Sequence, residues 1–480
     1  MTSVDRVVVV VFDGLRPDMI AGRMPALEAF GQAATVFTGA RSVFPSVTRV
    51  ATSSLGSGQW PRGHGIVGNA MHQPQVLQGR ALDTSAFGDL ILARAAWGRV
   101  IGPQTLGEAL AAAGRRMAVI HSGSAGSAFL CNPEVAANGG HWTFSIHGQE
   151  ATQTPDAVRA AEERHGPLPK SGTPKHDQLA YAADLALAGA LGEDGPDVVL
   201  IWLCEPDSTY HSHGLGAAET TAVMASADAS FARILEAATQ APRGQRTAVM
   251  AVSDHGQITT TGHFEIETLL RADGFDARVR PEADTAIALT LGSSGEIRCL
   301  RDEAGLVPDL AAWMMARPEI GMVFARDDLL PLAPGALPLS AVNLDHARAP
   351  SLFYVMHSED GPDHFGLPGR GLKTGGVAVG GGMHGGLNRH EMSTVLQLLL
   401  PGEPAGARDD RPCALPDIAP TILDLLGLPA DAMAGHPLRP ADKPAPAEVE
   451  RLTAGSGDFH QVLERRRGAG GWVLDHGGRA

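Results

Sequence analysis

The chain has 480 residues, 44% of them hydrophobic and 5% aromatic, and a formal net charge of -15. That length and apolar share allow a large core and exclude a disordered chain, while the acidic balance excludes a general nucleic-acid binder, which needs a basic face to displace counterions from phosphates. Four cysteines, Cys131, Cys204, Cys299 and Cys413, form no closely spaced pair, so neither a zinc knuckle nor a disulfide framework is legible, and they read as small buried hydrophobes.

The first element is Arg6–Phe12, whose apolar run Val7–Phe12 is flanked by Arg6 and Asp13. It is too short for a signal core or a membrane span and reads as a buried strand, which places the protein in the cytoplasm with no membrane partner. Residues 46–69, SVTRVATSSLGSGQWPRGHGIVGN, are crowded with hydroxyls and glycines. A helix amino terminus near Thr48 fits that composition, with SGQWPRGHG as the turn leaving it. Thr105 and Glu108 stand in capping-box spacing at the start of a helix running to Ala113, with Gly114 as its stop. A strand over Met117–Ile120 follows, then a strand over Val198–Leu203. An amphipathic helix through Val223, Ala227, Phe231 and Leu235 comes next, before a strand over Thr247–Val252. Continuous apolar strands of this kind belong in a parallel sheet buried on both faces, and their alternation with helices predicts an α/β fold with a doubly wound, mostly parallel sheet.

Residues 266–375 break that pattern with strand-like and helical pieces between Pro- and Gly-rich turns, and read as an inserted α+β capping region. Residues 1–265 and 376–430 then form the catalytic core, closed by a short helix in Asp417–Leu428. Residues 431–480 are a tail with a charged helix around Ala447–Arg467 and no functional signal.

Ligands of open α/β sheets lie beyond the carboxyl ends of the strands. Asp13 follows the first strand, Asp207 follows the Val198 strand with His211 four residues on, and Asp254 and His255 end the Thr247 strand. His384 sits between glycines that let backbone approach an ion. Singly, each has a bland reading: Asp before Gly is commonly a turn, and a lone His in a Gly-rich loop is commonly incidental. Together, Asp13, Asp207, His211, Asp254, His255 and His384 make a mixed carboxylate and imidazole set for two divalent ions, best suited to zinc, with manganese or iron also possible. Such a pair can clamp an in-line displacement at phosphorus, which gives an acidic protein a positive site. Thr48 is the candidate nucleophile, with the backbone N–H of Arg49 aimed at a phosphoryl oxygen; the competing role for Thr48 is a helix cap.

In order and spacing, VFDGLRPD, Thr48 with Ser57-Gly58 and His64-Gly65, DSTYH, SDHG and GGMHGG resemble the alkaline phosphatase superfamily, and within it the nucleotide pyrophosphatase/phosphodiesterases. The likeness runs from Asp5 to about Asn388, and DIAPTILDLLGL resembles the superfamily's closing segment. It implies that Asp13, Thr48, Asp254 and His255 surround one zinc and that Asp207, His211 and His384 bind the other. It also implies that Asn69 hydrogen-bonds a phosphate oxygen and that His64 is structural. The implied reaction is hydrolysis of phosphodiester or nucleotide pyrophosphate bonds through a phosphothreonine, then hydroxide attack with a second inversion.

Departures from the family pattern bear on specificity. Arg49-Val50-Ala51 replaces the usual Phe-Pro-Asn after the nucleophile, so the aromatic floor beneath a nucleobase is not evident, and Arg49 either favours an anionic substrate or is an exposed or salt-bridged arginine, the commoner case. Thr48, Val50 and Thr52 do not fit a sulfatase. The alternative activity is phosphomonoester hydrolysis or phosphonate C–P cleavage of the phosphonoacetate hydrolase kind, although residues 101–160 contain no lysine to hold a substrate carboxylate. The expected partner is a small phosphate ester or phosphonate rather than a nucleic-acid polymer. A non-catalytic binder on the same fold would be expected to lack ligands, and none is missing. Neither the oligomeric state nor the physiological substrate is legible, because no motif marks 266–375 or the loop Ser122–Trp142.

Overall fold

The computed structural model describes residues 3–240, 246–403, 406–439 and 447–480. Its centre is an eight-stranded sheet with the order Arg408–Asp409, Thr35–Phe37, Leu396–Leu399, Thr247–Val252, Arg6–Phe12, Val198–Leu203, Met117–His121, Trp142–Ser145. The five strands from Thr247–Val252 to Trp142–Ser145 are mutually parallel, and Leu396–Leu399 runs antiparallel beside them. This is the α/β, mostly parallel architecture read from the sequence.

The run of valines in the first strand explains itself in this setting. Val7, Val9 and Val11 pack into the core on one face of the sheet, and Val8, Val10 and Phe12 into the core on the other. Side chains of a strand alternate between faces, so a strand covered on both sides has no use for a polar position. Register then aligns the strand ends: Phe12 pairs with Leu203 and Val11 with Val252, so Asp13, the loop beyond Leu203 and Asp254 emerge at one edge.

Helices cover both faces. The predicted capping box forms at Leu106–Ala112, where Thr105 and Glu108 bond reciprocally, and the amphipathic helix extends over Ala218–Thr239. The segment after Ser57 contains a single helical turn, Pro61–His64, where the sequence suggested only a turn. The closing helix spans Ile418–Leu425 after a tight turn at Leu415–Asp417.

Between the Thr247 strand and the closing helix lies a six-stranded sheet, built from pieces of residues 277–356, with its own apolar core around Ile287, Ile297, Leu310 and Tyr354. A separate four-stranded sheet joins Ser358–Pro362, Pro368–Lys373, Ile258–His263 and Gly382–Met383. This second sheet ties the 266–375 segment to chain on both sides of it, and it delivers Lys373 and His384 toward the edge where Asp13 and Asp254 emerge.

The carboxyl-terminal segment differs from the sequence reading. No helix forms at 447–467; Val449–Ser456, Phe459–Gly468 and Gly471–Arg479 make a three-stranded antiparallel sheet. Its charged residues suggested a helical face, but the apolar positions repeat every two residues: Leu452 opposes Leu463, and Phe459, Gln461 and Leu463 all point inward. Gln461 bonds Val323 and Gly335, and Phe459 enters the core of the six-stranded sheet. Three of the four cysteines are buried and Cys299 is half-buried; all four are free thiols. Among the described residues, no helix is long and apolar enough to cross a membrane.

Candidate active site

The hydroxyl-rich stretch of the sequence forms the buried helix Thr48–Ser57. A buried Ser or Thr must find a partner, and these bond back along their own helix: Thr52 Oγ1 to the Thr48 carbonyl, Ser53 Oγ to Arg49 and Ser57 Oγ to Ser53. Their small size lets the helix approach its neighbour until Gly56 sits against the carbonyls of Leu130 and Cys131. Thr48 is the first helical residue, and Val47 occupies the cap position without a side-chain bond. The Thr48 hydroxyl is therefore not used as a cap. It lies 3.2 Å from His255 Nε2.

Two groups of side chains able to hold a cation converge beside it. Asp13, Asp254 and His255 form one, and Asp207, His211 and His384 the other. The first stands on the tips of adjacent parallel strands. The second takes Asp207 and His211 from one face of the short helix Asp207–His213 and His384 from the Gly-rich return loop. The rings of His255 and His384 stack at 3.8 Å between centroids, so the two groups share a wall. Gly14, at φ +73°, lets the strand end pass Asp207; a Cβ there would stand 3.0 Å from the Asp207 Cβ. Ser46 anchors the return loop, since its Oγ donates to the Gly386 carbonyl and accepts from Gly385 N–H.

The hydrogen bonds around these groups leave one kind of atom facing inward. His255 Nδ1 faces the Gly256 carbonyl at 3.1 Å, His384 Nδ1 the Ser46 carbonyl at 2.9 Å and His211 Nδ1 the Gly382 carbonyl at 2.7 Å. A carbonyl only accepts, so each Nδ1 carries a proton, and each Nε2 faces inward and presents a lone pair when the imidazole is neutral. Those lone pairs meet carboxylates: His255 Nε2 is 3.2 Å from Asp254 Oδ2, His211 Nε2 is 3.3 Å from Asp207 Oδ1, and His384 Nε2 is 3.4 Å from that same oxygen. Two acceptors at such a distance repel unless a cation lies between them. The carboxylates show the same division. Trp202 Nε1 donates to Asp13 Oδ2 at 2.9 Å, and Gly14 and His255 N–H donate to Asp254 Oδ1, while Asp13 Oδ1 and Asp254 Oδ2 are buried with no partner. Nitrogen and oxygen lone pairs converging in this way fit a borderline divalent metal.

Electrostatics agree. Burial, with Asp254 and Asp207 adding repulsion, drives the Asp13 carboxyl well above its usual range, and burial pushes Asp254 up to about 7. Burial also opposes ionisation of Asp207, but the charge and hydrogen bond of a protonated His211, with charge on His384 and His255, outweigh it and hold that carboxyl well below the usual range. Burial and the neighbouring His255 keep His384 well below the ordinary histidine value. Three carboxyls packed this closely ionise together only beside positive charge.

Of the remaining expected residues, Asn69 and Arg49 are present but arranged differently. The Arg49 N–H does not point freely into the site; it donates to Asn69 Oδ1 at 3.2 Å, which leaves the Asn69 amide nitrogen as the available donor. His64 turns away: its Nε2 bonds Ser54 Oγ at 2.9 Å and its Nδ1 accepts from Ile66 N–H. A cavity of about 580 Å³ is lined by Thr48, Arg49, Asn69, Asp207, His211 and His384, together with Ser293 and Lys373. Sequence reasoning missed Trp202, Gln257, Ser293 and Lys373. Gln257 Nε2 donates to Asp207 Oδ1 at 2.5 Å and lies just past SDHG, and Lys373 is one of only four lysines in the chain, so those two had a signal. A third acidic group, Glu464, Asp475 and His476, is partly exposed, and Arg41 already pairs with Asp475 at 2.6 Å, so it reads as an ion-pair network.

Solved structures similar to this chain share its fold. Phosphonoacetate hydrolase from Sinorhizobium meliloti 1021, in complex with phosphonoformate, is 18% identical with a TM-score of 0.61, over 87% of this chain and 94% of that one. Murine ectonucleotide pyrophosphatase/phosphodiesterase 5 is 16% identical with a TM-score of 0.60, over 88% and 96%, and its inactive form has been solved in complex with AMP. The alkaline phosphatase PafA, in a substituted form, is 14% identical with a TM-score of 0.66, over 91% and 99%. No curated protein sequence matches the chain. Residues 7–309 match the family described as type I phosphodiesterase / nucleotide pyrophosphatase, and the chain belongs to that family.

Proposed function

We propose that this protein is a dinuclear metal-dependent phosphohydrolase that cleaves phosphodiester or nucleotide pyrophosphate bonds of small molecules through a phosphothreonine at Thr48. The observation that carries the proposal is the position of the Thr48 hydroxyl, 3.2 Å from His255 Nε2 and open to the cavity, where two groups of inward lone pairs meet. Asp13, Asp254 and His255, with Thr48, would hold one divalent cation and Asp207, His211 and His384 the other; zinc suits the donor set best. When bound, the pair supplies Lewis acidity and neutralises charge on the transferring phosphoryl group.

The chain's own residues do the rest. The helix beginning at Thr48 fixes Oγ1 for in-line attack, and the first-turn dipole favours the anionic phosphoryl group. The Asn69 amide nitrogen donates to a phosphoryl oxygen, with its Oδ1 anchored on the Arg49 N–H. Trp202 orients Asp13, and the Ser46, Gly256 and Gly382 carbonyls fix the tautomers of the three histidines. Attack by Thr48 Oγ1 forms the O–P bond as the bond to the leaving oxygen breaks. Water then cleaves the phosphothreonine from the opposite face and regenerates the hydroxyl. The AMP and phosphonoformate complexes of the structural neighbours support a small phosphoryl compound as the substrate class here.

The experiment is turnover of bis(p-nitrophenyl) phosphate by zinc-loaded protein, with mass spectrometry of the quenched enzyme. Hydrolysis with a phosphoryl adduct on Thr48 is expected. No turnover of diesters or pyrophosphates by protein carrying two metals would sink the reading.

A further inference from the structure

The same cavity holds three polar side chains that the proposed reaction does not use. Arg49 lines the cavity with its Nε buried and unpartnered, and among the described residues it makes no ion pair or side-chain hydrogen bond. Asp83, the carboxylate that acts on it most strongly, is exposed and bonds Ser85 instead. Lys373, which lines the same cavity, is half-buried and likewise has no hydrogen-bond or ion-pair partner among the described residues. Asp207 and Glu391 are the carboxylates that act on it. Asp207 already faces His211 and His384, and Glu391 accepts from Gly386 and Asn388 N–H. Beside Lys373, Ser293 is only 3% exposed and its Oγ, at the cavity wall, has no partner. Thr374 fixes this side: its Oγ1 accepts from Gly292 N–H at 2.7 Å and its own N–H donates to the Gly292 carbonyl, so Lys373 and Ser293 are held next to each other.

A buried guanidinium nitrogen and a buried hydroxyl without partners are unfavourable, and an anion in the cavity would complete both. Their placement indicates which ligand. In-line displacement puts the leaving group on the side of phosphorus away from Thr48 Oγ1. Lys373 stands by the Asp207, His211 and His384 group, and its charge acts on both histidines. Among the described residues, Phe353 is the one Phe, Tyr or Trp that lines the cavity, and at 3% exposed it offers no open face for stacking a nucleobase.

The geometry points to an anion subsite formed by Lys373 and Ser293, with Arg49 lining the same cavity, that selects phosphoryl substrates whose leaving group carries its own anionic group, a carboxylate or a second phosphate. Charge rather than base stacking chooses the substrate. This assignment rests on the phosphohydrolase reading for the place of the leaving group, but the subsite itself can be measured by binding alone.

Calorimetry on the zinc-loaded Thr48→Ala chain would compare three non-hydrolysable probes: propylphosphonate, 3-phosphonopropionate and ethane-1,2-diphosphonate. At least one two-anion probe is expected to bind roughly 10- to 100-fold tighter than propylphosphonate, the size of one charge-assisted hydrogen bond. Whichever of the two is tighter distinguishes carboxylate from phosphate. Lys373→Met should erase most of that ratio and Lys373→Arg should retain it. Arg49→Gln gives a second reading should Lys373→Met fold poorly. Equal affinities for all three probes, or a ratio unmoved by Lys373→Met and Arg49→Gln, would overturn the subsite. Diester turnover with an unmoved ratio refutes the subsite alone; a moved ratio in a protein that turns over no diester or pyrophosphate refutes the reaction and leaves the subsite standing.

Discussion

The two halves of the candidate metal centre are built in different ways. Asp13, Asp254 and His255 come from the tips of neighbouring parallel strands and are almost wholly buried, with one oxygen of each carboxylate fixed by a tryptophan or backbone N–H. Asp207, His211 and His384 come from a two-turn helix and a return loop, and the His211 side chain is 26% exposed. The difference teaches that position in the sheet sets how tightly a site is prearranged. Strand tips inherit the rigidity of the core, whereas loop-borne ligands depend on local anchors such as Ser46 and Glu391. In the proposed reaction the buried half also holds the nucleophile, and the half open to the cavity faces the departing group.

The largest expected effect tests whether the nucleophile belongs to the buried half. Thr48→Ala should lower diester turnover by at least about 10³-fold while two metals remain bound, as read by steady-state rates and metal analysis. Next, Asp254→Ala should remove one metal and leave the Gly14 and His255 N–H groups without an acceptor, lowering stability by about 3 kcal/mol or more. His211→Ala should also lose one metal but with a stability loss under about 1.5 kcal/mol. Equal losses in urea titrations would erase the contrast between the halves.

Glu391 probes the anchor of the return loop. Burial pushes its carboxyl up to about 7 although Gly386 and Asn388 N–H groups oppose the shift. A carboxyl raised in the folded state binds its proton more tightly there, so its contribution to stability is complete below about pH 4.5 and is lost as the pH rises through about 7. Glu391→Gln should therefore flatten the stability profile between pH 5 and 8 by up to about 3 kcal/mol relative to the unmodified chain. Parallel profiles would show that this carboxyl does not titrate in that window.

The smallest effect sharpens the comparison on the buried side. Trp202→Phe keeps the packing but removes the donor to Asp13 Oδ2, so metal affinity of that half should fall by roughly 10- to 100-fold in competition with a chelator. An equal fall in the other half would mean that Trp202 acts through the fold rather than through Asp13.

The sequence by itself determined the strands and what stands at their ends. Continuous Val, Ile and Leu runs have one stable use, inside a parallel sheet, and residues just beyond such strands must gather at its carboxyl edge, so Asp13, Asp207, Asp254 and His255 were legible together. Charge misled where periodicity was decisive: Ala447–Arg467 reads as helical by its Glu and Arg content, yet Val449–Ser456 and Phe459–Gly468 are strands of a sheet. Only the tertiary structure decided the rest. Whether Thr48 caps its helix or faces His255, which nitrogen His211 and His384 turn inward, and that Lys373, Ser293 and Arg49 line one cavity all depend on contacts between residues far apart in the chain. Local pattern carries no record of such contacts, because they are fixed by how the sheets and return loop pack and not by the propensity of any single segment.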